Sequence, residues 1–89
     1  MNIKRILSKD GTIHCRNEKG QYHREDGPAY EQPDGYKAYC INNMLHREDG
    51  PARIHPNGNE EWYLNGKKYT KEDWEQEVFK NRLNRIKDL

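Results

Sequence analysis

The chain has 89 residues, enough for a single small domain over 1–89 and too few for a deep core. Hydrophobic residues make up 31% of it and mean hydropathy is −1.43, so no stretch reads as a transmembrane span. Net charge is +1, which excludes a global field that would draw nucleic acid or a membrane surface.

Charge is nevertheless uneven. Residues 1–20 carry a net +3, residues 21–70 a net −2, and residues 71–89 are balanced. Met1-Asn2-Ile3-Lys4-Arg5 does not lead into an apolar leader core, so the expected compartment is the cytoplasm. Cys15 and Cys40 lack CxxC spacing and read as reduced, half-buried thiols.

In chain order, Ile3–Leu7 predicts a first strand, and Ser8-Lys9-Asp10-Gly11 a turn. Thr12–Asn17 predicts a second strand, turned back at Glu18-Lys19-Gly20. Ala29–Gln32 and Tyr36–Ile41 read as strands about Pro33-Asp34-Gly35, a strong hairpin signal. Asn42-Asn43 supplies the next two-residue turn. Arg53-Ile54-His55 and Asn59–Leu64 flank Pro56-Asn57-Gly58, and Asn65-Gly66 closes the series. The expectation is a continuous antiparallel meander of about nine short strands over 1–69. Alternation marks Tyr39 and Ile41, with Trp62 and Leu64, as the buried face. Tyr36, Cys40 and Tyr63 would then lie half-exposed on the other.

From Thr70 the period becomes helical. Thr70-Lys71-Glu72-Asp73 resembles a capping box. Trp74, Val78, Phe79, Leu83, Ile86 and Leu89 spread over about half the circumference, a stripe wide enough to lie on a sheet. Early acids (Glu72, Asp73, Glu75, Glu77) and late bases (Lys80, Arg82, Arg85, Lys87) complement the helix dipole. A helix from about Lys71 to Lys87 would close the final unit, making 70–89 a capping element.

The organising feature is an internal repeat. His23-Arg24-Glu25-Asp26-Gly27-Pro28-Ala29 returns unchanged as His46-Arg47-Glu48-Asp49-Gly50-Pro51-Ala52, an offset of 23 residues. Pro33-Asp34-Gly35 precedes Pro56-Asn57-Gly58 by the same 23, and a weaker copy begins near Asp10-Gly11. Three hairpin-like units follow. Stacked copies should form a structural ladder, with His23 near His46 and Arg24 near Glu48 or Asp49. Metal binding through His23, Glu25, His46 and Asp49 has no established ligand spacing, so no metal or other cofactor is expected.

No nucleophile motif, phosphate-binding glycine loop or zinc signature appears, and a duplicated scaffold suits binding better than one asymmetric active site. Tyr22, Tyr30, Tyr36, Tyr63 and Tyr69 outnumber what a thin core needs. Tyrosines anchor many protein interfaces, which makes Tyr36, Tyr63, Tyr30 and Arg53 the candidate partner-binding set; cross-strand packing is the competing role. Lys80, Arg82, Arg85 and Lys87 are the alternative, a phosphate-contacting set for nucleic acid.

On its heptapeptides, Pro-Asp-Gly at 33–35, Pro-Asn-Gly at 56–58 and Glu61-Trp62-Tyr63-Leu64-Asn65-Gly66-Lys67, the chain resembles the MORN-variant repeats of bacteria and their viruses. The resemblance spans about Asp10 to Tyr69. It implies β-hairpin repeats of about this period and a binding or scaffolding role without catalytic residues. Short proteins dense in this heptapeptide resemble accessory proteins of large tailed phages, and some bacterial relatives are classed as antitoxins. The lipid binding of eukaryotic MORN repeats rests on a Tyr/Gly spacing from which this chain departs. The expected function is a non-enzymatic protein-interaction module, a phage-encoded factor that binds and inhibits a bacterial host or defence protein. Alternatives are a nucleic-acid-binding accessory protein and an antitoxin-like binder. Monomer and homodimer both stand, because an open sheet leaves pairing edges.

Overall fold

The computed structural model describes residues 2–87, excluding the side chain of Lys87; Leu89, expected at the end of the helical stripe, also lies outside the described residues. Nine short strands precede one helix: β1 (Lys4–Leu7), β2 (Ile13–Arg16), β3 (Tyr30–Glu31), β4 (Lys37–Ala38), β5 (Cys40–Ile41), β6 (Met44–Leu45), β7 (Arg53–Ile54), β8 (Glu60–Leu64), β9 (Lys67–Tyr69) and α1 (Lys71–Lys87). The protein is mainly antiparallel β with a C-terminal helix. No helix among the described residues is long and apolar enough to cross a membrane.

The strands do not form one continuous meander. Seven make a sheet in the order β1-β2-β3-β4-β7-β8-β9, while β5 and β6 form a separate hairpin. The break falls inside the predicted Tyr36–Ile41 strand, because its two halves take different partners. Lys37 and Ala38 pair with Ile54 and Arg53, whereas Cys40 and Ile41 pair with Leu45 and Met44. Tyr39 sits at the switch. Its N–H donates to the Ala52 carbonyl at 2.7 Å, and its own carbonyl accepts from the His46 N–H at 2.9 Å.

The turns form as the sequence dictates. Gly11, Gly35 and Gly58 adopt φ of 90°, 100° and 90°, a region that only glycine enters freely. Asp10, Asp34 and Asn57 each accept the N–H two residues on, at 3.0 Å in all three turns. This Asx arrangement stiffens the turn from within. At the start of α1, the Asp73 N–H donates to Thr70 Oγ1 at 3.1 Å, the expected N-cap.

The core has two parts, and the first is made of small side chains. Cys15, Ala29, Ala38 and Cys40 form one buried cluster, edged by Ile13, Tyr22, Tyr30, Tyr36 and Leu45. Leu64, Trp74 and Val78 form the other, with Trp62 and Tyr69 beside it. This corrects the face assignment in the second unit. There Ala38 and Cys40 are buried and Tyr39 and Ile41 only half-buried. Backbones that approach closely leave room for alanine or cysteine, and the larger rings are pushed to the margins. Tyr39 is covered instead by the Arg47 guanidinium, 3.9 Å from its ring centroid, a cation–π contact. Both cysteines are free and buried rather than half-buried, and burial pushes the Cys40 thiol above its ordinary pKa.

The helical stripe does not lie wholly on the sheet either. Trp74 and Val78 dock on Leu64, but Phe79, Leu83 and Ile86 are 63%, 42% and 65% exposed. The helix meets the sheet mainly at β8 and β9, where Trp74 and Val78 are the side chains that reach the core, and its later apolar residues find no such cover.

Candidate functional site

The heptapeptide proves to be a joint between successive units. Its histidine reaches 19 residues forward to the next turn. The Asn42 N–H donates to His23 Nδ1 at 3.0 Å, and the Asn65 N–H donates to His46 Nδ1 at 2.9 Å. Both asparagines hold left-handed φ, 49° and 51°, so the imidazole satisfies a backbone group in a strained turn. Two backbone bonds run in parallel with this pair. The Asn43 N–H donates to the Tyr22 carbonyl, and the Gly66 N–H donates to the Leu45 carbonyl.

The arginines act within their own copies. Arg24 Nε–H donates to Asp26 and Arg47 Nε–H to Asp49, each at 2.9 Å. The expected pairing of Arg24 with Glu48 or Asp49 is therefore replaced by a local one; a separation of two positions already places the carboxylate beside the guanidinium. Arg24 and Arg47 also donate to the Pro28 and Pro51 carbonyls. This closes each loop over its glycine: a Cβ built on Gly27 or Gly50 would stand 2.8 or 2.7 Å from the guanidinium carbon. Ala29 and Ala52 then enter the core with no exposed surface.

The four candidate partner-binding residues come together on one sheet face. Direct cross-strand register runs His14, Tyr30, Ala38, Arg53, Glu61, so these side chains share a side. Tyr30 meets Tyr36 edge-on with centroids 5.9 Å apart, and Tyr36 meets His55 at 5.6 Å. Tyr22 and His14 extend the row on the other side of Tyr30, at 5.6 and 5.3 Å. Arg53 lies 5.7 Å from the Tyr63 ring centroid. Because Ala38 is small, the rings lean across it; Tyr30, Tyr36, Arg53 and Tyr63 are all half-buried. Each thus packs within the sheet and presents an edge outward.

Glu61 is the electrostatic centre of this face. It accepts from His55 Nε2–H at 2.6 Å, from the Tyr63 hydroxyl at 3.1 Å and from Arg53 at 3.3 Å, with Lys68 at 3.7 Å. The His55 hydrogen bond, assisted by Tyr63 and Arg53, outweighs burial and holds the Glu61 pKa below its ordinary value. Burial raises the Tyr36 and Tyr63 phenols, and Glu61 raises Tyr63 further. Sequence reasoning did not single out Glu61, His55 or His14. For Glu61 one signal existed: reading Pro56-Asn57-Gly58 as the hairpin turn places it opposite Arg53.

A depressed carboxylate pKa makes stability fall in acid. The Glu61 contribution is complete above the unfolded value near 4.5 and is lost as pH drops through the lower folded value. Glu61→Gln should therefore flatten the acid limb. Urea midpoints between about pH 5 and 3 test this; an equal fall in variant and parent would contradict it.

The alternative cationic set divides. Arg82 donates to the Glu48 carbonyl at 3.1 Å, and Arg85 bonds the Glu48 carboxylate. Burial pushes the Glu48 pKa upward, but Arg85 and His46 outweigh it and hold the carboxylate below its usual range. Lys80 is exposed. Two of the four cations are thus spent inside the protein. Among the described residues, no three His, Cys, Asp or Glu side chains gather closely enough to hold a metal ion. Comparisons with protein-family models, curated proteins and solved structures find no match.

Proposed function

We propose that this chain is a non-enzymatic protein-interaction module built from three MORN-like hairpin units with a helical cap. It acts in the bacterial cytoplasm as a phage-encoded factor that binds and inhibits a host or defence protein. The observation that carries the reading is the convergence of Tyr30, Tyr36, Arg53 and Tyr63 on one sheet face, half-buried around Glu61. Such a surface is ordered before binding, so little side-chain entropy is lost on contact. Tyrosine and arginine are also the side chains most often found at the centre of protein interfaces. The repeat resemblance supports a binding role and the phage setting. Nucleic-acid binding is the weaker reading, because Arg82 and Arg85 already serve Glu48.

The test is capture from nuclease-treated bacterial lysate with tagged protein, read by mass spectrometry. One stoichiometric protein should be retained. Its recovery should fall about tenfold or more with Tyr36→Ala and Tyr63→Ala combined, and less with the paired phenylalanine variants, which keep the rings. Thermal melts of each variant separate lost binding from lost fold. No captured protein, or capture indifferent to both pairs, would sink the proposal.

A further inference from the structure

The two heptapeptides are identical, so any difference between their surroundings is imposed by the rest of the chain. In the second copy Glu48 is fully engaged. It accepts from His46 Nε2–H at 3.3 Å and pairs with Arg85, while its carbonyl accepts from Arg82. Both arginines come from α1, three residues apart and therefore on one side of the helix. Trp74, two to three turns earlier, donates its indole N–H to the Arg47 carbonyl at 2.9 Å.

In the first copy the same groups stand without that cover. Glu25 is 76% exposed and lies 3.7 Å from His23 Nε2, beyond hydrogen-bonding distance. His23 has only 3% of its side chain exposed, and its Nδ1 is occupied by the Asn42 N–H. The proton therefore sits on Nε2, where it is buried and has no acceptor among the described residues. A buried donor of that kind carries a desolvation cost that a partner would remove. His46 Nε2, its equivalent, has the acceptor that Arg85 helps to hold. Two open grooves adjoin the first loop: one of about 540 Å³ runs between the two loops, with Glu25, Tyr39 and Ile41 facing Glu48 and Asp49, and one of about 520 Å³ holds His23 and Glu25 beside Arg5 of β1.

We propose that Glu25, backed by His23, is an arginine-docking socket for a partner protein. The fitting occupant is a helix presenting two arginines three residues apart, as α1 presents Arg82 and Arg85 to Glu48. One guanidinium pairs with the carboxylate and draws it onto His23 Nε2; the other reaches the Glu25 carbonyl. The forked guanidinium suits both acceptors, which a lysine ammonium reaches only as a point charge. This inference rests on the reading of the chain as a protein-interaction module and specifies the chemistry of its partner. The socket shares no residue with the tyrosine face.

The experiment is an NMR titration of isotope-labelled full-length protein with a blocked, alanine-based helical peptide bearing two arginines three residues apart. Saturable shifts are expected at Glu25 and at His23 Nε2. The peptide with lysines instead should bind several-fold more weakly, and Glu25→Gln should weaken binding about tenfold with the melting midpoint unchanged. The Tyr36/Tyr63 double variant should bind the peptide normally. No shift at Glu25 and His23, or shifts that survive Glu25→Gln, would overturn the socket. So would a dimer of the protein alone that Glu25→Gln dissociates, since the occupant would then be a second copy. Lysate capture that needs Tyr36 and Tyr63, beside a failed peptide titration, removes the socket and leaves the interaction module standing. Peptide binding that needs Glu25, with no protein captured from lysate, does the reverse.

Discussion

Trp74→Ala is expected to release α1 from the sheet and to cost about 3–5 kcal/mol. Trp74 is 8% exposed and packs with Leu64 and Val78, while its ring centroid lies 4.7 Å from that of Trp62. Its indole N–H also satisfies the Arg47 carbonyl. Beyond it, Val78 is the only fully buried apolar side chain among the described residues of the helix. A 17-residue helix is marginal in water without tertiary contacts, so removing the main anchor leaves little to hold it. Far-UV circular dichroism should show reduced helicity and an earlier melt. Trp74→Phe, which keeps much of the packing and loses one hydrogen bond, should cost about 1–2 kcal/mol. An alanine variant that melts like the parent would mean that Arg82 and Arg85 secure the helix alone.

His23→Ala should rank next, at about 2–4 kcal/mol, and should exceed His46→Ala. Both substitutions remove the acceptor for a turn N–H. Only at position 23 does the ring lie almost wholly inside the protein, at 3% side-chain exposure against 18% for His46. The void and the orphaned Asn42 N–H therefore add at the first site, whereas water reaches the second. His23→Phe separates the two effects by filling the space without restoring the acceptor. Urea denaturation of the three variants, with amide exchange read at Asn42, measures the difference. Equal losses at the two positions would show that burial of His23 contributes nothing.

Much of the fold was legible in the sequence because turns and caps are local. The helix matches its expected Lys71–Lys87 span, and Thr70 caps it as the box predicts. The turns at Gly11, Gly35, Asn42-Asn43, Gly58 and Asn65-Gly66 fall where positive φ had to be accommodated. The buried face in the second unit is not legible, because side-chain bulk does not mark burial where backbones approach closely. In this part of the thin sheet the buried apolar positions are the small Cys15, Ala29, Ala38 and Cys40. The strand break at Tyr39 was equally hidden, since both halves of Tyr36–Ile41 alternate without interruption and only their partners differ.

For the site, sequence composition singled out the tyrosines, and cross-strand register explains why they meet. What it could not supply was Glu61 as their common acceptor, or the 19-residue reach of each histidine, because both depend on contacts between units. The doubled heptapeptide was plain, but its division of labour was not. Arg24 and Arg47 close their own loops; His23 and His46 hold the following turn; Glu25 and Glu48 face different neighbours.

That histidine joint also makes the chain editable by length. Both joints use the same plug, an imidazole, and the same receptacle, the N–H of a left-handed asparagine. Excising residues 24–46 would bring His23 directly before Arg47 and spell the heptapeptide again, with His23 now positioned for Asn65. Nothing at the seam would be new. Unequal recombination can thus lengthen or shorten such a protein by a whole unit while the joint itself is kept, leaving only the side chains on the sheet faces to readjust.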